Sequence, residues 1–166
     1  MLEGAKRSPR LRLNHNFHLD AEDNPHRFLN VFVRGTYVPP HRHRDPPKAE
    51  SFVVLRGQVV VMTFDDDGEI TGTHVLGDGD HPTGVDLLPG VWHTITALSD
   101  HAVCFEVKPG PYDPSDDKEL APWAPPEGDP EAPAYLAELM ANVPSPSPDT
   151  IPAPPPGGDA SGVSEP

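Results

Sequence analysis

Short apolar runs alternate with turn residues over most of the first two thirds of the chain. The runs are rich in β-branched and aromatic residues, and clusters of glycine, proline and aspartate separate them without any helical period. Short strands at such a spacing are typical of an all-β sandwich or barrel. We therefore predict an all-β fold with strands at Phe28–Val33, Thr36–Val38, Ser51–Arg56, Gln58–Phe64, Ile70–Leu76, Val85–Leu88, Trp92–Leu98 and Ala102–Val107.

Two local features refine this prediction. Val59–Phe64 and Glu69–Val75 flank an Asp-Asp-Asp-Gly turn, which predicts a hairpin. In the last predicted strand, Glu106 and Lys108 alternate with apolar residues. Since neighbouring side chains on a strand point to opposite faces, both are predicted to point away from the packed interior.

The pattern changes after Pro109, and the two ends of the chain are predicted to lie outside the barrel. Residues 1–12 are predicted to be a flexible basic arm, and residues 13–126 the barrel with a C-terminal extension draped over it. Residues 127–142 contain the one predicted helix, because alanine, leucine and methionine favour helix there. Residues 143–166 form a Pro/Ser/Gly tract predicted to be disordered, since it has too few apolar residues to build a core.

Composition excludes two classes of partner. The formal net charge is −14, and after Pro109 the chain carries 11 acidic residues against a single basic one, Lys118. Nucleic acid is an unsuitable partner because phosphate binding needs a basic face. No segment has the apolar length of a membrane span.

Location in the cell is predicted from the cysteine and the N-terminus. Cys104 is the one cysteine and lies in an apolar run, so it is predicted to be a buried small hydrophobe in a reducing compartment. Met1–Arg12 is not followed by an apolar stretch, as a signal peptide would be. These features predict a cytoplasmic protein.

The chemistry is concentrated in two stretches with metal-ligand spacing. His41 and His43 are two residues apart, so on a strand both imidazoles point to one face. After a loop, Glu50 opens the next strand and can add a carboxylate, and His93 follows the Pro89-Gly90 turn. A bare His-x-His pair would more simply be a solvated basic loop. The complete set predicts one divalent transition metal, with Fe, Mn, Ni, Cu and Zn all compatible with three imidazoles and a carboxylate.

These motifs resemble those of a known superfamily. Gly35, His41-x-His43, Glu50 and Gly57 resemble the first motif of the cupins, and Gly84, Pro89-Gly90-x-x-His93 the second. The peptides Tyr-Val-Pro-Pro-His-Arg-His, Glu-Ser-Phe-Val-Val-Leu-Arg-Gly, Pro-Gly-Val-Trp-His and Phe-Glu-Val-Lys-Pro-Gly-Pro-Tyr are similar to the WbuC-type cupin-fold metalloproteins, over about residues 14–123.

The resemblance implies a single RmlC-like jelly-roll β-barrel, a metal site at the four motif residues, and an association with surface-polysaccharide gene sets. Two positions depart from the common cupin pattern. Six residues separate His43 from Glu50, which allows Glu50 either to bind the metal or to stand back from it. Ala97 occupies the position where the second motif usually has asparagine.

Three functions are compatible with these residues. The first is a metal-dependent enzyme, such as an isomerase or epimerase, acting on a small polar, anionic or sugar-like substrate. The second is an Fe(II)-dependent dioxygenase, and the third is a non-catalytic binding or sensory barrel. Tyr37 and Arg56 are the candidate catalytic residues, although packing and a solvated strand end explain them equally simply. Apolar residues on both faces of Ser51–Val61, together with the commonest cupin assembly, predict a homodimer.

Overall fold

The computed structural model describes residues 1–115 and 118–144. Within these residues the chain forms two helices and ten strands, in the order α1 (Leu2–Arg7), β1 (Arg12–Asn16), β2 (His26–Val33), β3 (His41–Arg42), β4 (Glu50–Arg56), β5 (Gln58–Phe64), β6 (Ile70–Gly77), β7 (Gly84–Leu87), β8 (Trp92–Ala97), β9 (His101–Lys108), β10 (Glu119–Leu120) and α2 (Ala132–Ala141).

The strands form two antiparallel sheets that face each other. Sheet I has the order β1-β2-β9-β4-β7, and sheet II has the order β10-β3-β8-β5-β6. An apolar core of residues such as Phe52, Val61 and Ile95 fills the space between them at one end of the barrel. The predicted all-β jelly-roll barrel is confirmed, and so is the hairpin, which is β5 paired with β6.

A second apolar cluster covers the outer face of sheet II. Val60 and Met62 point outward from β5 and pack with Trp92, Ala121 and Leu139. The C-terminal extension and α2 therefore bury the outside of this sheet. This second layer explains why β5 is apolar on both faces.

The segment Thr36–Val38 was predicted to be a strand, and the structure shows that this is wrong. It is buried but irregular, and its carbonyls accept hydrogen bonds from side chains instead of from a strand partner. Thr96 Oγ1 donates to Thr36 O at 2.7 Å, and Thr94 Oγ1 donates to Val38 O at 2.5 Å. Two prolines follow directly and have no N–H to donate to a strand ladder, which disfavours a longer strand.

The N-terminal residues differ from the flexible arm that the sequence predicted. They form α1, whose Ala5 is fully buried, and β1, which pairs with β2 along its whole length. The polar composition of β1 concealed this strand, because Leu13 is its one apolar residue. At the other end α2 lies inside the predicted helix region, while the predicted disordered tail lies outside the described residues beyond position 144.

Cys104 is buried at 0% exposure, as predicted, and burial raises the pKa of its thiol to about 12. None of the helices among the described residues is long and apolar enough to cross a membrane.

The turn between β4 and β5 depends on Gly57. Its φ of +73° is a left-handed conformation, and a Cβ added there would lie against the carbonyl oxygen of His101. The Gly57 N–H donates to Asp78 Oδ2 at 2.9 Å, which holds the turn against the loop after β6. Only glycine fits this position without displacing neighbouring backbone.

Gly57→Ala is expected to destabilise the protein by about 2 kcal/mol or more, because the left-handed conformation costs roughly 1–2 kcal/mol and the backbone contact adds to it. Gly128→Ala is the matched control, since Gly128 has φ +85° with open space around its Cα. Urea unfolding midpoints should fall more for Gly57→Ala than for Gly128→Ala. Equal shifts would show that the contact with His101 is easily relieved.

Candidate metal centre

The short strand β3 brings the first two histidines to the inner wall of the barrel. His41 pairs directly with His93 of β8, and His43 follows at the end of β3. The Gly90 N–H donates to the His43 carbonyl at 3.0 Å, so the Pro-Gly turn of the second motif is bonded to the end of the first. Glu50 enters from the first residue of β4 in the opposite sheet.

The four predicted metal-site residues form one buried cluster. His41, His43, Glu50 and His93 each offer one ligand atom, and these atoms all lie within 4.8 Å of one another. Each of the four residues is at most 6% exposed. The six-residue loop before Glu50 therefore does not carry the carboxylate away from the imidazoles.

Backbone carbonyls orient two of the imidazole rings. His41 Nδ1 lies 2.9 Å from Pro39 O, and His93 Nδ1 lies 2.9 Å from Val91 O. A carbonyl can only accept, so each Nδ1 carries a proton, and in the neutral form of each ring Nε2 presents its lone pair to the cluster. A second hydrogen bond that fixes the tautomer in this way is the usual arrangement for a histidine that binds metal.

The cluster has the polarity of a cation site. His93 Nε2 lies 3.0 Å from Glu50 Oε2, and His43 Nε2 lies 3.6 Å from the same oxygen. With Nδ1 protonated, a neutral His93 places a lone pair against a carboxylate oxygen, which is repulsive unless a proton or a cation lies between them. Burial lowers the pKa of His41, and His93 and Lys118 lower it further. The lowered pKa favours the neutral ring of His41.

Glu50 supplies the negative charge. Burial alone would raise the pKa of Glu50, but its contacts with His43 and His93 outweigh that effect, and the pKa lies well below its usual value. A buried carboxylate needs a compensating positive charge. The donor set of three imidazole nitrogens and one carboxylate fits a divalent transition metal.

A second carboxyl group lies beside the cluster. Glu106 was predicted to point away from the packed interior, and this is wrong. Its side chain hydrogen-bonds Glu50, and Asn30 Nδ2 donates to Glu106 Oε2 at 2.5 Å. Burial, followed by the charge of Glu50, raises the pKa of Glu106 well above its usual value. A hydrogen bond between two carboxyl groups requires one proton. Glu106 is the better group to hold it, because its pKa is raised and that of Glu50 is lowered.

The cluster opens into a cavity of about 280 Å³ between the two sheets. His41 and Glu50 line its metal side, and Phe52, Val38 and Ile95 form an apolar wall. Asn30, Glu106 and Lys108 line the cavity as well. Lys108, like Glu106, therefore faces inward, because this part of the barrel interior is a polar cavity instead of a packed core.

A larger outer space of about 460 Å³ continues this cavity and shares residues such as Asn30, Glu106 and Lys108 with it. His18, His26, Phe28 and Tyr112 line the outer space. His18 and His26 stack with ring centroids 4.0 Å apart. A molecule that enters from outside thus passes the aromatic and imidazole rings of the outer space first. It then passes the polar side chains that the two spaces share before it reaches the buried cluster.

The two candidate catalytic residues from the sequence do not line the inner cavity. The Tyr37 hydroxyl donates to Pro125 O at 2.8 Å, and its ring packs against Tyr135, so it anchors the C-terminal extension. Arg56 is exposed at the end of β4, beyond a register shift that follows Val54. The inward alternation that Arg56 would share with Glu50 is lost at that shift.

The sequence did not identify Asn30, Glu106 or Lys108 as site residues. They lie on β2 and β9, far from the histidine motifs along the chain, and only the pairing of these strands with each other and with β4 brings them to the cluster. One feature of the sequence could have indicated them, since β9 carries an acidic and a basic residue among mostly apolar ones.

Comparisons with known proteins agree with the fold. Residues 1–76 match the model of a domain of unknown function, DUF6016. The capsular polysaccharide assembling protein CapF from Staphylococcus aureus is similar in structure, with TM-score 0.56 and 24% identity, over 68% of this chain and 32% of that one. Oxalate oxidase in complex with the substrate analogue glycolate gives TM-score 0.54 and 15% identity, over 83% of this chain and 69% of that one.

These similarities establish the cupin fold. The chain spans about a third of the length of the CapF chain that it matches. A structure of CapF with the inhibitor 3-isopropenyl-tropolone is similar over a comparable region, with TM-score 0.54 and 25% identity, covering 64% of this chain and 30% of that one. No curated protein sequence gave a significant match.

The lowered pKa of His41 predicts how the metal-free protein responds to acid. The unfolded chain takes up a proton at this histidine near pH 6.5, whereas the folded protein resists protonation until the pH falls well below that value. Stability should therefore decrease as the pH falls below about 6.5. Glu50, whose pKa is lowered, loses its contribution only at still lower pH, below about 4.5.

His41→Gln should reduce the loss of stability between pH 7 and 5.5, measured by urea unfolding of chelator-treated protein. His26 also has a pKa lowered mainly by burial and is present in both proteins, so the difference between them isolates His41. The same pH slope in both proteins would show that the folded protein protonates His41 as readily as the unfolded chain does.

Proposed function

We propose that this chain is a metalloprotein that binds one divalent transition metal through His41, His43, Glu50 and His93. The observation that carries the proposal is the contact between His93 Nε2 and Glu50 Oε2 at 3.0 Å, in a cluster where the Nδ1 proton of His93 is already committed to Val91. Two buried acceptors in contact need a shared proton or a metal cation between them, and a metal is the partner that all four donor atoms can bind at once. Fe, Zn, Mn, Ni and Cu all suit this donor set.

We infer further that the metal serves an enzyme acting on a small polar, anionic or sugar-like molecule. When bound, a divalent metal supplies Lewis acidity and a template for an oxygen-bearing substrate. The cavity of about 280 Å³ beside His41 and Glu50 has room for such a molecule. Lys108 supplies positive charge at its wall, and Asn30 and Glu106 supply hydrogen bonds.

Glu106 is the residue best suited to move a proton in this cavity. Its raised pKa keeps it protonated beside a carboxylate, so it can donate a proton to a substrate oxygen and later recover it. Asn30 holds one of its oxygens and fixes its orientation. These residues take the place of Tyr37 and Arg56 in the proposed catalytic machinery.

An Fe(II)-dependent dioxygenase is the second candidate. The apolar wall of Phe52, Val38 and Ile95 favours it, because apolar side chains beside the metal help to keep water away from reactive oxygen chemistry. Oxygen uptake by the iron-loaded protein distinguishes the two functions. A protein that binds ligands in this cavity but turns none of them over would instead be a binding or sensory barrel.

We also propose membership of the WbuC-type cupins and a role linked to surface-polysaccharide biosynthesis. The sequence motifs support the first, and the similarity to a capsular polysaccharide assembling protein supports the second. The single buried cysteine supports a cytoplasmic location.

We propose a homodimer through the outer face of sheet I. Unlike the outer face of sheet II, this face carries exposed apolar side chains, with Val53 44% and Leu55 59% exposed on β4. Leu29 and Val53 lie on either side of Phe105 in the strand register, so the apolar residues are continuous across three strands. A second copy presenting the same surface would cover them.

The metal proposal predicts one metal ion per chain in protein purified without chelators or nickel resin, measured by elemental analysis. His41→Ala, His43→Ala and His93→Ala should each weaken metal binding sharply, because the remaining three ligands no longer enclose the ion. His81→Ala, an exposed histidine, is the control. Full occupancy in all three variants would contradict the ligand assignment.

Glu50→Gln keeps the shape of the side chain and removes its charge, so metal affinity should also fall. Loss of a hydrogen bond that supports a metal ligand can cost about 10–100-fold in metal affinity, so a lower affinity does not by itself show that Glu50 binds the metal. A crystal structure of the zinc-bound protein separates a direct ligand from a supporting group, since a carboxylate oxygen that binds zinc lies within about 2.0–2.2 Å of it.

The dimer proposal predicts that the protein elutes at twice the mass of one chain in light scattering. Val53→Glu should yield a monomer with unchanged metal content, because it places a charge in the apolar interface. Thr71→Glu, an exposed strand position on β6, should remain a dimer. A monomeric parent protein would refute the proposed interface.

A further inference from the structure

Arg42 lies between the two histidines of the first motif but faces the other side of the strand. Alternation along β3 points His41 and His43 into the barrel and Arg42 toward the outside. It is nevertheless only 9% exposed. A buried arginine beside a proposed cation site requires an explanation, because its charge opposes the binding of a metal.

Arg42 makes a bidentate ion pair with the C-terminal extension. Its Nε donates to Glu119 Oε2 and its Nη2 to Glu119 Oε1, both at 2.9 Å. Parallel hydrogen bonds of this kind are stronger and more directional than a single ion pair. Glu119 is also the strand partner of Arg42, so side chain and backbone both join β10 to β3.

The same guanidinium reaches the second motif. Nη1 of Arg42 donates to Asp66 Oδ1 at 2.8 Å, and Nε1 of Trp92 donates to that same oxygen at 2.9 Å. The guanidinium carbon lies 4.0 Å from the centroid of the Trp92 ring. Trp92 directly precedes His93, so Arg42 links the strands that carry three of the four cluster residues.

β3 needs this support because it is short. It is a two-residue strand that pairs with β8 at a single position, His41 with His93. On its other side it pairs with β10, and the Ala121 N–H donates to Pro40 O at 2.9 Å. So few backbone bonds leave the directions of the two imidazoles dependent on side-chain contacts behind the strand.

We propose that Arg42 is a positioning residue for the metal centre, clamping β3 to β10 and β8 through Glu119, Asp66 and Trp92. The inference rests on the proposed metal site and extends it to the C-terminal segment, which supplies part of the clamp. Because the coupling between two sites is reciprocal, metal binding must in turn stabilise the docking of β10 against β3.

Electrostatics and positioning predict opposite signs when Arg42 is removed. Loss of a positive charge near a cation raises the affinity for that cation. Loss of a clamp that orients two ligands lowers it. The direction of the change therefore separates the two roles.

The test measures cobalt(II) affinity by chelator competition, together with the visible spectrum of the cobalt-loaded protein. Arg42→Gln should weaken binding about 10–100-fold and alter the spectrum, as changes behind metal ligands generally do. Arg42→Lys should behave like Arg42→Gln, since a lysine keeps the charge but cannot form the bidentate pair. Glu119→Gln should shift both measurements in the same direction by less.

Arg34→Gln is the matched control. Arg34 is an exposed arginine paired with Asp100 at 3.3 Å, away from the cluster, and its loss should change neither affinity nor spectrum. Unchanged or tighter cobalt binding with the parent spectrum in Arg42→Gln would overturn the clamp, and so would parent behaviour in Arg42→Lys. If Arg42→Gln does not fold, Arg42→Lys decides by affinity and spectrum, because it keeps the positive charge and removes only the bidentate pair.

Hydrogen exchange of the metal-free protein separates failure of the clamp from failure of the metal site. Arg42→Gln should speed exchange of the Ala121 amide, which bonds Pro40. If the parent protein binds no cobalt, the proposed metal function is wrong, and exchange at Ala121 alone decides whether Arg42 holds β10 to β3. Equal exchange rates in parent and variant would overturn the clamp in either case.

Discussion

The structure depends on how a small barrel keeps three imidazoles and a carboxylate inside it. Burying polar groups is unfavourable unless each finds a partner, and burying a charge is more so. Backbone carbonyls of Pro39 and Val91 satisfy one nitrogen of two rings. The groups that remain all converge on one point, where a cation is the partner that suits every one of them.

This requirement divides the interior of the barrel. Toward β5 and β6 the space between the sheets is filled by a dense apolar core that includes Val59 and Val61, both fully buried. Beside Asn30, Glu106 and Lys108 it is a cavity with one polar side, reached from outside through a wider space. The packed half gives the sheets their rigidity, and the open half gives the cluster access to small molecules.

The C-terminal extension is part of this arrangement. It covers the outer face of sheet II with a second apolar cluster, and Trp123 packs against Trp92 with ring centroids 4.9 Å apart. Through β10 it also completes the sheet beside β3. The extension that the sequence predicted to lie over the barrel thus lies directly behind the metal-binding strand.

The sequence by itself determined the β-rich fold and the four cluster residues, because strand periodicity and metal-ligand spacing are local properties. Tertiary structure alone decided the rest. Alternation assigns Glu106 to a face but cannot tell whether that face meets a packed core, solvent or a polar cavity, and β1 has too few apolar residues to be seen as a strand. The partners of Arg42 and Glu106 come from distant segments, and only the folded sheets bring them within hydrogen-bond distance.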